Sequence, residues 1–292
     1  MLNTVIKIQV EGSLPEAHLT TYIQEHYEDI DIDKRPLVLI CPGGAYAYTS
    51  VREGEALALQ FLAMGYHAAV LDYSCAPARF PTALAELASA MALIRNNAEK
   101  WHVDPEAVIV LGASAGGHLA ASMGMLWEEE YLSKAAGLQD SAEFKAMGNR
   151  LFRPDGMILC YPVINSGEYA HRESFQNLLG EEEGRLEHWY EKDSLLSKMS
   201  LETRVTEQTP PAFVWHTYTD GAVPVENSLL LVSALRKAGV PVEFHMYPRG
   251  GHGLSLANRL TRHRDKSAVQ EECTSWISLV HTWIESGYVA KS

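Results

Sequence analysis

Residues Leu111-Gly112-Ala113-Ser114-Ala115-Gly116-Gly117 place a serine between two glycines, directly after the apolar run Ala107–Leu111 and directly before a helical pattern. A serine on a sharp strand-to-helix turn exposes its Oγ, and small flanking residues permit the strained backbone that such a turn needs. The helix that follows points its positive N-terminal end at the same spot, where negative charge on a reacting carbonyl would be stabilised. The expected chemistry is nucleophilic attack by Ser114; the bland alternative is a glycine-rich βα turn.

A hydroxyl needs a base, and the chain has twelve histidines. His252 stands out in Gly250-Gly251-His252-Gly253, on a loop just after the last expected strand. A histidine among glycines can approach a neighbouring backbone closely. His118, four residues after Ser114, is the competitor, but its direction is fixed by the helix it sits on, so it is expected to pack sideways. The imidazole in turn needs an acid to fix its tautomer. Asp220, in His216-Thr217-Tyr218-Thr219-Asp220-Gly221, follows the strand before the histidine strand. Asp155 and Asp193 are weaker candidates because neither has that placement, and Asp220 could instead be an aspartate of a D-G turn.

A tetrahedral oxyanion requires preorganised donors. Cys41-Pro42-Gly43-Gly44-Ala45-Tyr46 follows an early strand, and the N–H groups of Gly44 and Ala45, with that of Ala115, are the expected oxyanion hole. Such a donor is typically worth about 3 kcal/mol. The histidines share no ligand spacing, there is no H-E-x-x-H motif and no phosphate-binding glycine loop, so no metal and no cofactor are expected.

These loops need a scaffold. The runs Pro36–Cys41, His67–Leu71, Ala107–Leu111, Met157–Tyr161, Ala212–His216 and Val242–Tyr247 are nearly continuous apolar stretches. Strands buried on both faces of a parallel sheet read this way. Val5–Val10 alternates and His18–Ile23 is β-prone, which suggests an antiparallel hairpin at one sheet edge. Ser50-Val51-Arg52-Glu53 has the capping-box pattern and is expected to open a helix to Met64, stopped by Gly65. Pro81 opens another, with Leu84, Leu87, Met91 and Ile94 on one face. Val225–Ala238 stops at Gly239, and Cys273, Trp276, Ile277, Val280 and Ile284 mark a last apolar face. Alternating strand and helix predicts an α/β fold with a doubly wound, mostly parallel sheet.

Two stretches break the rhythm, 127–154 and 165–209. Both are expected to follow the C-terminal ends of strands, where open α/β sheets bind ligands, and to act as cap insertions on a single domain of residues 1–292. The second is rich in charge and carries Tyr169, Trp189 and Tyr190; aromatics beside polar groups suit sugars, and core packing of the cap is the alternative.

Composition narrows the partners. A formal charge of −13 repels phosphate backbones and anionic membranes, so no nucleic acid and no membrane partner is expected. Four widely spaced cysteines without a C-x-x-C pair suit a reducing compartment. No cationic start with an apolar core opens the chain, and no run approaches the ~20 apolar residues of a membrane helix. The expectation is a cytoplasmic protein with a small-molecule substrate; a homodimer is compatible with the sequence.

On these motifs the chain resembles α/β-hydrolases of the esterase and lipase group, and most of all the acetyl-xylan-esterase-like carbohydrate esterases. Their oxyanion motif resembles Pro42 to Tyr46, though they carry a third glycine at Ala45 and often histidine at Pro42; alanine keeps the N–H. Gly112 to Leu119, His216 to Ser228 and Gly251-His252-Gly253 match the nucleophile, acid and base motifs in that order, and Asp72-Tyr73-Ser74 and Phe80-Pro81 also fit. The resemblance implies a serine esterase acting through Ser114, His252 and Asp220 on short-acyl esters, acetyl above all, with acetylated sugars as a substrate class. A peptidase of the same fold, or a binding module on an inactive hydrolase scaffold, are the competing readings.

Overall fold

The computed structural model describes residues 1–191 and 193–289. Among these described residues eight strands form one sheet: β1 (Leu2–Lys7), β2 (His18–Ile23), β3 (Arg35–Cys41), β4 (His67–Asp72), β5 (Val103–Ala113), β6 (Gly156–Cys160), β7 (Ala212–Thr217) and β8 (Val242–Tyr247). Their spatial order is β1-β2-β4-β3-β5-β6-β7-β8. The first two form the expected antiparallel hairpin at one edge, with β2 antiparallel to β4, and every later pair is parallel. The fold is thus α/β, doubly wound around a mostly parallel sheet.

Alternate side chains of one strand enter two separate cores. Leu37, Leu39 and Cys41 of β3 pack on one face, Val38 and Ile40 on the other. Both faces are covered by helices, which is why the central strands read as unbroken apolar runs. The helices are α1 (Glu55–Ala63), α2 (Thr82–Asn96), α3 (Ala98–Trp101), α4 (Ala115–Leu126), α5 (Glu130–Ala135), α6 (Ala142–Met147), α7 (Arg172–Leu179), α8 (Leu195–Lys198), α9 (Glu226–Lys237) and α10 (Trp276–Trp283). Leu84, Leu87, Met91 and Ile94 of α2 join the first core; Trp276, Val280 and Trp283 of α10 join the second. All four cysteines are buried and free. No helix among the described residues is long and apolar enough to cross a membrane.

Three expectations need correction. The first strand is Leu2–Lys7 rather than Val5–Val10; it lies at an exposed edge, where burial imposes little pattern. Ser50 to Glu53 is not a capping box: Val51–Glu53 is a 3-10 turn, Ser50 makes no side-chain cap, and α1 starts later, at Glu55. The helix does stop at Gly65, which has φ +94°. Finally, segment 127–154 follows α4, not a strand, and enters β6 from its N-terminal end, away from the strand ends that carry Ser114. Segment 165–209 does follow a strand, β6, and contains α7 and α8.

Candidate active site

Ser114 sits between β5 and α4 with φ 55° and ψ −119°, a conformation that L-residues rarely adopt. The neighbouring glycines make this turn feasible. A Cβ on Gly112 would lie 2.1 Å from the Gly116 carbonyl oxygen, and one on Gly116 would lie 2.1 Å from that of Cys41. Strand, turn and helix are therefore pressed together backbone against backbone, leaving Ser114 at the C-terminal edge of the sheet.

His252 and Asp220 arrive from the loops after β8 and β7. His252 Nε2 lies 2.7 Å from Ser114 Oγ, and Nδ1 lies 2.7 Å from Asp220 Oδ2. The carboxylate only accepts, so Nδ1 carries the proton and Nε2 is free to accept from the serine hydroxyl. Asp220 is fully buried and Oδ1 accepts from the N–H groups of Ala222 and Val223 at 2.9 and 3.0 Å. Burial alone would push this carboxyl up. Hydrogen bonds from His216 and His252, the charge of His252 and the Val223 N–H outweigh it and hold the group well below the usual carboxylate range.

His118, the competing base, is placed as its helix dictates. Its ring is buried, with Nδ1 3.0 Å from Tyr46 Oη and Nε2 3.1 Å from the Met199 carbonyl, edge-on to Phe175. The carbonyl can only accept, so Nε2 carries the proton and Nδ1 accepts from Tyr46. Burial pushes this imidazole down to about 4, against a smaller opposite pull from the Met199 carbonyl. Asp155 is likewise occupied elsewhere, by Arg95 at 3.1 Å and the Val108 N–H at 2.8 Å.

Residues Pro42 to Tyr48 form the facing wall. Gly43 touches the serine: a Cβ there would lie 2.9 Å from Ser114 Cβ. Gly44 has φ +131°, and a Cβ on it would overlap the Tyr48 carbonyl at 2.0 Å, so glycine is required; Ala45 and Tyr46 follow at φ 55° and 57°. The loop is braced from several sides. Tyr73 Oη donates to the Pro42 carbonyl at 2.6 Å, Ser50 N–H to that of Gly43 at 2.8 Å, and Asn177 of α7 to that of Ala45 at 2.9 Å. Among the described residues the N–H groups of Gly44, Ala45 and Ala115 donate to no protein atom.

These parts surround a cavity of about 250 Å³, lined also by Tyr48, Arg52, His171, Glu173 and His263. Segment 165–209 reaches it through His171 and Glu173. Segment 127–154 does not line it. The aromatic pair Trp189 and Tyr190 lies elsewhere, on a separate groove of about 630 Å³ with Asp193 and Glu202, and Tyr169 uses its backbone to hold Asn165 and Asn227. The polar side chains of the serine cavity come instead from the 48–53 turn, from the start of α7 with its N-cap His171, and from His263. His216, 3.2 Å from Asp220, is the neighbour of this candidate acid that the motif reading missed; its signal was its position four residues before Asp220 at a strand end. No cluster among the described residues could hold a metal ion.

The BD-FAE family model matches residues 26–235, well over half of the chain. Endo-1,4-beta-xylanase B of Butyrivibrio fibrisolvens is 35% identical over 237 residues, which are 80% of this chain and 34% of that protein. The acetylxylan esterase of Xylanibacter ruminicola is 28% identical over 226 residues, 76% of this chain and 42% of that one. The chain thus spans well under half the length of these curated relatives. Among solved structures, the acetyl ester-xyloside bifunctional hydrolase from Caldicellulosiruptor lactoaceticus superposes with a TM-score of 0.77 at 32% identity, covering 97% of this chain and 96% of that one. The fold, the match over residues 26–235 and the full-length likeness to a solved hydrolase agree: the chain is an α/β-hydrolase and belongs to the BD-FAE family.

Proposed function

We propose that this protein is a serine carboxylic ester hydrolase that removes short acyl groups, acetyl above all, from acetylated sugars. The observation that carries the reading is the hydrogen-bonded line from Ser114 through His252 to Asp220, with both spacings at 2.7 Å. Ser114 Oγ attacks the ester carbonyl while His252 Nε2 takes its proton. Asp220 stabilises the imidazolium that forms. The oxyanion meets the N–H groups of Gly44, Ala45 and Ala115, which have no protein acceptor to give up. Collapse returns the proton from His252 to the leaving alcohol, and water activated by the same imidazole then cleaves the acyl-enzyme.

The substrate class rests on the cavity. Its volume of about 250 Å³ lies below the ~300 Å³ lower end of drug-sized ligand sites, which favours a small acyl group over a long chain. Arg52, Glu173, His171 and exposed Tyr48 offer a sugar hydroxyl both donors and acceptors. Segment 165–209 serves as the cap on this side. The likeness to an acetylxylan esterase supports the same class. The test is a panel of nitrophenyl esters from acetate to decanoate beside acetylated xylo-oligosaccharides and aminoacyl amides. The reading expects acetate and the acetylated oligosaccharides to lead; preference for decanoate would remove the short-acyl assignment, and preference for amides would make the protein a peptidase.

A further inference from the structure

Glu53 is 3% exposed and lines the cavity beside Ser114 and His252. Both of its carboxylate oxygens are taken by neutral donors. Oε2 accepts from the Gly43 N–H at 2.9 Å, and Oε1 accepts from Tyr161 Oη at 2.6 Å. Tyr161 Oη in turn accepts from the Ser255 N–H at 2.8 Å, and its ring stands edge-on to His252 at 5.2 Å. The next turn is stitched the same way, with Ser255 Oγ donating to the Arg52 carbonyl at 2.7 Å. One buried carboxylate therefore joins three segments: the Gly43 loop, the end of β6 and the loop that carries His252.

Burying a carboxylate is costly, and Tyr161 adds backbone strain with φ 37°. An apolar filler would strand the Gly43 N–H and the Tyr161 hydroxyl, and a neutral amide would accept more weakly. What only an anion supplies here is a strong acceptor for the Gly43 N–H, and hydrogen bonds to a charged partner are the stronger kind. Fixing that N–H fixes the Pro42–Gly43 peptide, and with it the direction from which the chain presents the N–H groups of Gly44 and Ala45.

We propose that Glu53 is a positioning residue for the oxyanion hole, acting through Gly43 and, by way of Tyr161, on the histidine loop. The inference rests on the esterase reading above. Glu53 keeps Gly44 and Ala45 aimed at the oxyanion before substrate arrives, so its removal weakens transition-state stabilisation rather than substrate binding.

The test compares wild type with Glu53→Gln, Glu53→Ala, Tyr161→Phe, the Glu53→Gln/Tyr161→Phe double variant and, as a control, exposed Glu55→Gln. Readouts are kcat and KM on nitrophenyl acetate and the rate at which a fluorophosphonate labels Ser114, all at a temperature where circular dichroism reports each variant folded. In labelling, the Ser114 Oγ–P bond forms, fluoride leaves and the serine proton goes to His252. Glu53→Gln is expected to lower kcat about tenfold with KM within about twofold, and to slow labelling by a similar factor. Glu53→Ala loses more. Tyr161→Phe loses less, and the double variant loses less than the product of the single losses, because the two residues act on one network. Wild-type kcat and labelling in folded Glu53→Gln would overturn the proposal, as would a loss confined to KM. If wild type labels at Ser114 but cleaves no ester, the esterase reading fails while the labelling rates still judge Glu53.

Discussion

His216 Nε2 lies 3.2 Å from Asp220 Oδ2, the oxygen that also takes His252 Nδ1. The same Nε2 is 3.0 Å from the Val223 carbonyl, and Nδ1 is 2.8 Å from Ser228 Oγ. Since the carbonyl can only accept, Nε2 carries the proton and Nδ1 accepts from Ser228. A second, fully buried histidine thereby adds a donor to the acid and steers it toward His252. His216→Leu should lower kcat about tenfold and cost about 1–3 kcal/mol of stability, since Val223 and Ser228 also lose their partner. Steady-state kinetics and urea unfolding on the same sample check both; unchanged kcat would leave His216 a packing residue only.

Asp220→Asn should keep the fold but cut turnover by several powers of ten. The amide presents a donor to His252 Nδ1 and favours the wrong tautomer, a change that cost about 10⁴ in a comparable triad. Equal treatment of Asp155 separates the candidates: Asp155→Asn, next to Arg95 and at the opposite end of the parallel strands from Ser114, should alter stability and spare kcat. The reverse pattern would remove Asp220 from its role.

The two histidines near Ser114 should also separate cleanly. His252→Ala should abolish turnover, whereas His118→Gln should retain most of it, because a glutamine can still accept from Tyr46 and donate to Met199. His118→Gln further tests the buried imidazole. Its folded value, about 4, lies below the ~6.5 of an unfolded chain, so the stability that a neutral His118 supports is fully present above about 6.5 and is lost as pH falls toward 4. The full loss amounts to about 3 kcal/mol. Urea unfolding at pH 7 and pH 4.5 should show wild type losing more stability than His118→Gln. Equal losses would mean that His118 is not held neutral.

Gly116→Ala should be severe. The added methyl would sit 2.1 Å from the Cys41 carbonyl oxygen and 2.4 Å from that of Pro42, both backbone atoms. Either α4 moves or the Ser114 turn opens, and a loss above about 3 kcal/mol is expected. Thermal unfolding measures it; a variant as stable as wild type would contradict the close approach of turn and loop.

What could be read from the chain followed from how local each signal was. β5, the Ser114 turn and α4 are one continuous stretch, so strand, glycines and helix announce themselves together; the Asp220 loop follows β7, buried throughout, and the His252 loop follows the half-buried edge strand β8, where glycines on both sides of the histidine carried the signal. Glu53 misled because its partners are distant in sequence. Serine followed three residues later by glutamate reads as a helix cap, but the carboxylate is drawn inward by Gly43 and by Tyr161, 108 residues away. For Trp189 and Tyr190 the sequence was silent on place: aromatics in an insertion suit sugars or cap packing, yet nothing in their spacing says which groove they line. The polar walls of the serine cavity include Tyr48, Arg52, His171 and Glu173, residues whose meeting depends on how α7 folds back over the Pro42–Tyr48 loop.

Turnover of nitrophenyl acetate by Ser114→Ala is the direct measure of the nucleophile. With His252 and Asp220 intact but no Oγ to attack, kcat should fall by at least about 10⁴, to the level that binding and oxyanion contacts alone support. Turnover close to wild type in the folded variant would contradict the assignment of Ser114, and with it the whole mechanism.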